Sequence, residues 1–336
     1  MDILKSVRDF IVRSFRIPKP YNWGYPIFYG AAGLGIAFLI LKLMFSGAFQ
    51  FSSTSLIGCA VTVIMIVMFA FIVPSVLIAE RGGICITGHY TGVGVLILSF
   101  LSGAPVYLIK VSFHNILTSL WLRFGGTVVF PAVFYHVNDL NGQTLFLEIL
   151  IDTIIPAFGF SLFFFGAVWQ GFSENNKKWS FVIVPLLMAA FAFDLMDIVS
   201  ILIIGWWLCI VRKNTGNIYG PILALIGSRL TGIMIDSILY EIDLTSIRVY
   251  SDIPSTMYFA TIPAIIVAVI LFAFFRKSLG EFYAAYSADI YGDEKGPEDR
   301  DGGLADSALY GFNLTLVLGA LILMAFWILL TKGVRL

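Results

Sequence analysis

The residues of this sequence that could do chemistry are a few charged side chains in or beside long apolar stretches. They are Glu148, Asp152, Asp194, Asp197 and Arg229. A charged group inside a bilayer is costly, so such residues face a helix-bundle interior or a wet cavity and have a partner there. Carboxylates in such a place can bind a proton or a cation, act as a base, or pair with a guanidinium. The sequence therefore predicts a polar cluster between helices.

Two arrangements of these residues are open. Asp194 and Arg229 could form an ion pair in which each group offsets the desolvation of the other, with Asp197 as a second acceptor. Alternatively, both lie near helix ends and extend to the membrane surface. Glu148 and Asp152 are four positions apart and share a helix face. They could bind a proton or a hard cation, as in a transporter, or they could mark the outer end of a span.

Metal-binding and cofactor motifs are absent from the sequence. His89, His114 and His136 do not form HExxH, and no two cysteines have CxxC spacing. Neither a zinc site nor a disulfide framework is therefore indicated. We predict no metal and no cofactor.

The composition is typical of a membrane protein. Of the 336 residues, 59% are hydrophobic and only 12% are charged, and the mean hydropathy is +0.92. A soluble domain has about half apolar and about a quarter charged residues. The formal net charge is zero, so no basic surface suggests a nucleic-acid partner. These values predict an integral membrane protein surrounded by membrane lipids.

Apolar stretches long enough to cross a bilayer recur from end to end of the chain. We predict an all-α polytopic membrane protein with about nine transmembrane helices. The predicted spans are approximately 25–45, 54–79, 88–110, 145–170, 180–195, 198–211, 219–239, 257–275 and 309–330. The stretch 111–137 could be two interfacial pieces, a re-entrant hairpin or an extra span. The charge distribution favours a re-entrant or interfacial segment.

The Lys and Arg residues predict the orientation, because cytoplasmic loops carry the excess of positive charge. Basic residues are frequent at the N-terminus, which we place in the cytoplasm, and residues 1–23 are predicted to form an amphipathic helix on the membrane surface. An odd number of spans places the C-terminus outside, and we expect the cell membrane as the location.

The chain after residue 23 divides by composition into five further segments. They are N-terminal helices (24–145), a core (146–240), an outer loop and span (241–275), an acidic cytoplasmic loop (276–308) and a last span (309–336). The acidic loop is typical of a solvated linker, and a partner-docking segment is the alternative.

The spacing of Pro, Gly and basic residues from Pro156 to Arg229 resembles the CPBP family, the CAAX-protease and bacteriocin-processing membrane proteins. Pro156 precedes FGFSLFFFGAVWQGF, and SENNKKW supplies a basic turn. IVSILIIGWWLCIVRKNTGNIYGPI resembles the family's helix, turn and Pro-led helix. The resemblance implies a helical intramembrane protease core whose motifs carry paired Glu and Arg, Phe-x-x-x-His, and His-x-x-x-Asn.

The catalytic residues of that family are missing here. The family positions for Glu, Glu, Arg, His, His and Asn fall, in that order, on Phe160, Ser161, Phe165, Asp194, Leu225 and Arg229. Phenyl and aliphatic groups cannot activate water or hold an oxyanion. The resemblance therefore implies a pseudo-active site, lined by these six residues, with no catalytic group.

The leading functional prediction is a non-catalytic CPBP relative that binds a membrane protein or a lipid-like ligand as a scaffold or regulator. The first alternative is an active hydrolase with a non-standard carboxylate set drawn from Glu148, Asp152 and Asp194. The second is a transporter or permease component that uses the charged residues as a substrate or proton path.

Overall fold

The computed structural model describes residues 23–45, 56–82, 85–88, 91–125, 145–172, 177–235, 238–242, 250–253, 255–291 and 314–331. Within these ranges the regular structure is helical, apart from one antiparallel bridge between Gly88 and Asn217. Six of the helices are long and apolar enough to cross a membrane. The prediction of an all-α polytopic membrane protein is confirmed.

Three shorter apolar helices join these six in the described chain, which makes nine and agrees with the predicted number. In chain order the nine are α1 (Gly24–Leu43), α2 (56–82), α3 (Val93–Arg123), α4 (145–171), α5 (Lys177–Ala192), α6 (Ile198–Thr215), α7 (Tyr219–Ile235), α8 (Ser255–Tyr291) and α9 (Leu314–Thr331).

Two helices continue beyond the ends that hydropathy predicted. The third span was expected to end at residue 110, but α3 runs to Arg123, so residues 111–123 are part of it. The rest of the predicted re-entrant stretch, from residue 126, lies outside the described residues, as does the predicted amphipathic helix up to residue 22. Similarly, α8 passes residue 275 and ends at Tyr291. Helix propagation tolerates such polar extensions once the apolar part is formed.

Turns of π-helix precede prolines in α2 and α4. Val67–Ile72 lies just before Pro74, and Leu150–Ile154 lies just before Pro156. Proline has no amide N–H and its ring crowds the carbonyl four residues earlier, so the preceding turn widens. A second π stretch, Ser161–Val168, follows in α4. These turns set the directions of the α4 side chains that were predicted to line the site.

Close contact between α3 and α7 depends on two glycines. A Cβ on Gly103 would collide with the backbone of Ala224 and Ser228, and a Cβ on Gly227 would collide with the Phe100 carbonyl. Small residues at such a crossing let the two backbones approach closely. The charged residues of α3 and α7 lie further along these same helices.

The loops form two ends of the helix bundle. At one end Gly88 pairs with Asn217, and the Ile218 N–H donates to the Thr87 carbonyl at 3.0 Å. We call this the Asn217 end. The turn at 193–197 and the segment 238–242 meet the second half of α3 at the other end, which we call the Asp197 end.

Phenylalanine rings fill the centre of the bundle. Phe71, Phe163, Phe164 and Phe191 are in mutual contact, with ring centroids 5.0 to 5.9 Å apart. Four of the six pairs have the edge-to-face geometry that the aromatic quadrupole favours. The predicted pseudo-active site borders this cluster.

Candidate functional site

The predicted pseudo-active site is largely apolar. The Phe160 ring packs edge-on against Phe71, with centroids 4.8 Å apart. Leu225 packs against the same hydrophobic core as Phe160, and Phe165 is fully buried within it. Three of the six predicted positions are therefore occupied by hydrocarbon that contributes to the core.

Two polar groups of α4 lie among these apolar side chains, the Ser161 hydroxyl and the Phe165 carbonyl. Ser161 is fully buried, and its hydroxyl has no hydrogen-bond partner in the described part of the chain. The carbonyl of Phe165 accepts a hydrogen bond at 2.9 Å from Nε of Arg212, a buried residue of α6. Arg212 thus ties α6 to a carbonyl in the π stretch of α4, where regular helical bonding is interrupted.

The predicted ion pair between Asp194 and Arg229 is wrong in its acidic partner. Nη2 of Arg229 lies 2.8 Å from Oδ2 of Asp152. Asp194 instead accepts a hydrogen bond from the Met196 N–H at 2.9 Å. The pairing with Asp152 follows from the π turn before Pro156, which presents that carboxylate to α7.

A second set of charged residues meets at the Asp197 end. Asp197 Oδ1 lies 2.9 Å from Nδ1 of His114, and its Oδ2 lies 3.9 Å from Nζ of Lys110. The same ammonium contacts Glu241 Oε1 at 2.6 Å. We call these residues, with Asp194, the Asp197 network. The side chains of His114 and Asp197 are only about one-tenth exposed.

Three members of the network were missed by the sequence analysis. Lys110 and His114 are four positions apart on α3 and so share one face. This i, i+4 spacing could have indicated that the two residues act together. The predicted span ended at residue 110, however, so His114 was not placed on the same helix. Glu241 was assigned to an outer loop, and nothing local in the sequence indicates its partner.

Backbone hydrogen bonds hold Glu241 in place. The Asn115 side chain donates to the Tyr240 carbonyl and accepts from the Ile242 N–H, both at 2.9 Å. The Tyr107 hydroxyl donates to the Leu239 carbonyl at 3.0 Å. These side chains of α3 fix the segment 238–242 and thereby the position of the Glu241 carboxylate.

The turn that carries Asp194 and Asp197 has an unusual backbone. Phe193, which precedes it, has a φ of 52°, a left-handed conformation that is rare for a bulky residue. The Asp197 carbonyl accepts the Ile201 N–H at 2.8 Å and the Ser200 hydroxyl at 2.8 Å. Its carboxylate does not cap α6 and instead points to His114.

Within the described ion-pair contacts of Asp197 and Asp152, together with Asp194, acidic groups outnumber permanent cations. Four carboxylates, on Asp152, Asp194, Asp197 and Glu241, accompany Lys110, Arg229 and one imidazole. Burial raises the pKa of the Asp194 carboxyl, and the negative charge of Asp197 raises it further. The positive charges of His114 and Lys110 act on this pKa in the opposite direction.

The chemistry available here is acid–base chemistry. A buried imidazole held at Nδ1 by a carboxylate has the orientation of a general base. In the described part of the chain, no group of three or more His, Cys, Asp or Glu side chains is arranged to hold a metal ion. His89 and His136 lie outside the described residues, and only the backbone of Glu148 is described, in α4.

Comparison with known proteins supports the resemblance found in the sequence. A family model described as type II CAAX prenyl endopeptidase Rce1-like matches residues 142–228. No curated protein and no solved structure matches the chain. The matched range contains Asp152 and Asp197 but neither His114 nor Glu241. The chain is therefore Rce1-like over residues 142–228, which supports its resemblance to the CPBP family of membrane proteins.

Proposed function

We propose that this CAAX protease-like membrane protein is non-catalytic and binds a membrane partner or a lipid-like ligand as a scaffold or regulator. The observation that carries the proposal is the packing of Phe160 and Leu225 against the hydrophobic core. These positions correspond to a catalytic Glu and a catalytic His in the family motifs.

Peptide hydrolysis in a membrane needs a base that activates water and donors that hold the oxyanion. Phe160, Phe165 and Leu225 can supply neither. The Arg229 guanidinium, at the family's Asn position, is paired with Asp152. Asp194, at a family His position, accepts a hydrogen bond from the Met196 N–H. The Ser161 hydroxyl is fully enclosed and cannot reach a substrate without a rearrangement of α4.

An apolar cleft between α1, α5 and α9 favours a lipid-like ligand over a protein partner. Its volume is about 290 Å³, near the lower end for ligand pockets. It is lined by Ile27, Leu187, Ala190, Leu316, Ala320, Leu323, Met324 and Trp327. The indole N–H of Trp327 is already donated to the Ala190 carbonyl at 2.9 Å. Such a lining suits a hydrocarbon chain rather than water.

A cleavage assay on the full chain in liposomes tests the catalytic part of the proposal. The substrate is a fluorescence-quenched prenylated CAAX peptide. We expect a rate equal to that of protein-free liposomes. Turnover that depends on the protein and saturates with peptide would overturn the proposal.

Photolabelling with a photoreactive isoprenoid tests the binding part. We expect saturable labelling that Ala320→Trp abolishes, because the indole fills the cleft. Ala325→Trp is the matched control, since Ala325 is also exposed on α9 but does not line the cleft. Equal labelling of both variants would mean that the probe only samples the lipid around the protein.

The contact between His114 and Asp197 favours a second candidate, a hydrolase with a relocated acid–base pair. In this case the cleavage assay gives turnover, and His114→Gln abolishes it while the protein stays folded. The described ion pair of Asp152 is with Arg229, whereas that of His114 is with Asp197, so Asp152→Asn would retain activity. No turnover with prenylated peptides or simple esters removes this candidate.

We further propose that the Asn217 end faces the cytoplasm, in the cell membrane, which places the C-terminus outside. Arg81, Lys178 and Lys213 lie at or near helix termini at this end, in agreement with the positive-inside rule. Cys85 is exposed there, whereas the other two cysteines are buried. An impermeant maleimide should label Cys85 only after cells are opened, and Cys85→Ser should remove the signal. Labelling in intact cells would reverse the orientation.

A further inference from the structure

We infer that Lys110 couples segment 238–242 to the buried imidazole of His114. When the segment detaches from α3, the Lys110 ammonium loses Glu241 and moves to Asp197 as its carboxylate partner. The position of the segment thus changes how strongly Asp197 holds the imidazole. This coupling depends on neither the proposed lipid binding nor catalysis, so a cleavage or photolabelling result of either kind leaves it untouched.

The Lys110 ammonium lies between two carboxylates that belong to different segments of the chain. Its Nζ is hydrogen-bonded to Oε1 of Glu241 at 2.6 Å and lies 3.9 Å from Oδ2 of Asp197. The longer distance is beyond hydrogen-bond range, so Glu241 is the bonded partner and Asp197 acts on the ammonium by charge. A movement of about 1 Å exchanges the two roles, because N–H···O bonds are about 2.7–3.2 Å long. The flexible four-carbon stem of lysine permits this movement.

The four side chains form a series from the surface to the interior. The Lys110 and Glu241 side chains are 29% and 27% exposed. Those of His114 and Asp197 are only 10% and 11% exposed. The Asp197 carboxylate directs Oδ1 to the imidazole and Oδ2 to the ammonium. A change at the accessible pair therefore reaches the buried pair through one carboxylate.

Segment 238–242 is joined to α3 by contacts that open together. The segment is not helical, and one side chain, Asn115, satisfies both the Tyr240 carbonyl and the Ile242 N–H, each at 2.9 Å. The Ile242 side chain is also buried, so the described structure is the closed form. Irregular segments fixed by few hydrogen bonds open at a lower free-energy cost than the helices around them. Opening breaks these bonds together with the contact between Glu241 and α3.

The exchange of partners follows from the cost of leaving a half-buried charge without a counter-ion. Removing one partner of an enclosed ion pair is strongly unfavourable unless another group takes its place. Once Glu241 has moved away, Asp197 is the carboxylate that the described structure leaves within reach of Lys110. The Asp197 charge is then shared with a closer ammonium, so its attraction for His114 weakens.

Hydrogen exchange of single amides in the full chain, held in lipid nanodiscs, tests this inference. The Ile242 N–H reports opening of the segment, because it is bonded to Asn115. The Ile218 N–H, bonded to the Thr87 carbonyl at 3.0 Å at the opposite end of the bundle, is the internal reference. Global unfolding exposes both amides, so the ratio of their exchange rates isolates local opening. NMR of protein labelled at isoleucine nitrogen measures both rates.

Two variants change the partners of the ammonium. Asp197→Asn removes the alternative carboxylate, so opening leaves Lys110 without a counter-ion. We expect the ratio of Ile242 to Ile218 exchange to fall about fivefold, the lower end of typical coupling between sites. Lys110→Met removes the bond to Glu241 and should raise the ratio about tenfold. In that background Asp197→Asn should have no further effect on the ratio.

Asp194→Asn is the matched control for the loss of a negative charge. It removes a carboxylate from the same turn but leaves the contacts of Lys110 in place. The exchange ratio should therefore not change. A ratio that Asp197→Asn leaves unchanged or raises would overturn the inference, and so would an equal fall in Asp194→Asn.

Glu241→Gln decides the case if Asp197→Asn does not fold. The variant weakens the bond to Lys110 and releases the ammonium to Asp197. The imidazole nitrogen signals of His114 should then shift in the NMR spectrum, and the shift should disappear when Glu241→Gln is made in the Lys110→Met background. Signals that stay in place, or that shift equally in both backgrounds, would show that Lys110 does not couple the segment to the imidazole.

Discussion

The Rce1-like core is mainly apolar, whereas the Asp197 network consists of charged side chains in contact. In the core, Phe160 and Leu225, which the sequence resemblance places at catalytic positions of the family, pack against the hydrophobic core. In the network, charged groups contact one another at 2.6 and 2.9 Å. Yet His114 and Glu241 lie outside the matched residues 142–228. Residues 142–228 thus carry the sequence pattern that matches the family model. Much of the ionisable network lies on other segments of the chain.

The largest expected effect comes from breaking the network at its centre. Asp197→Leu removes the acceptor of both His114 and Lys110 and leaves a buried imidazole and a half-buried ammonium less compensated. We expect a loss of about 3 kcal/mol in unfolding free energy. Denaturant unfolding in detergent measures it.

Glu241→Gln is the control for this prediction, because Lys110 keeps Asp197 and the amide still accepts a hydrogen bond. Its loss should stay below about 1 kcal/mol. Equal losses for the two variants would contradict a network centred on Asp197.

The next prediction tests whether the pseudo-active site is core. Phe160→Ala removes a half-buried ring that contacts Phe71 and Phe164. We expect a loss of roughly 2 kcal/mol, below the range for fully buried phenylalanines because the ring is only partly enclosed. Phe158→Ala, two residues away and exposed on the same helix, should cost well under half of that. If the Phe160 variant were neutral, the position would border an open site instead.

A smaller effect distinguishes the observed ion pair from the predicted one. Asp152→Asn and Arg229→Gln should be coupled by about 0.5–1 kcal/mol in a double-mutant cycle. The value is modest because the Arg229 side chain is 38% exposed. The same cycle between Asp194 and Arg229 should give a coupling near zero. A larger coupling for Asp194 would restore the pair that the sequence suggested.

The parts that sequence predicted well depend on local signals. Hydropathy locates nine apolar helices because each must be apolar over its own length. The motif from Pro156 to Arg229 is recognisable because Pro, Gly and basic turn residues determine the backbone conformation at their own positions. The family match over residues 142–228 confirms the family that this motif predicted.

The parts that sequence predicted poorly depend on tertiary geometry. The partner of Arg229 is decided by a π turn that rotates Asp152 toward α7. The position of Glu241 is decided by Asn115, more than a hundred residues away in sequence. Neither rotation nor long-range contact leaves a local pattern, so the acid–base pairs had to be seen in the structure.

The smallest expected effect concerns the thiol of Cys85 at the Asn217 end, the counterpart of the carboxylates at the Asp197 end. The Thr87 hydroxyl, 3.6 Å from Sγ, lowers the pKa of Cys85 below the ordinary value of 9.0, and the Arg212 charge contributes in the same direction. At a pH below 9.0, a larger fraction of Cys85 is therefore thiolate than of an ordinary cysteine. The rate of alkylation by iodoacetamide should rise with pH at a lower midpoint than for an ordinary cysteine. Thr87→Val should move the midpoint up, in a background where Cys59 and Cys209 are replaced by Ala. If the pH midpoint of the reaction is unchanged in Thr87→Val, the Thr87 hydroxyl does not stabilise the Cys85 thiolate. Local hydrogen bonds would then affect an ionisable group at the Asp197 end but not at the Asn217 end.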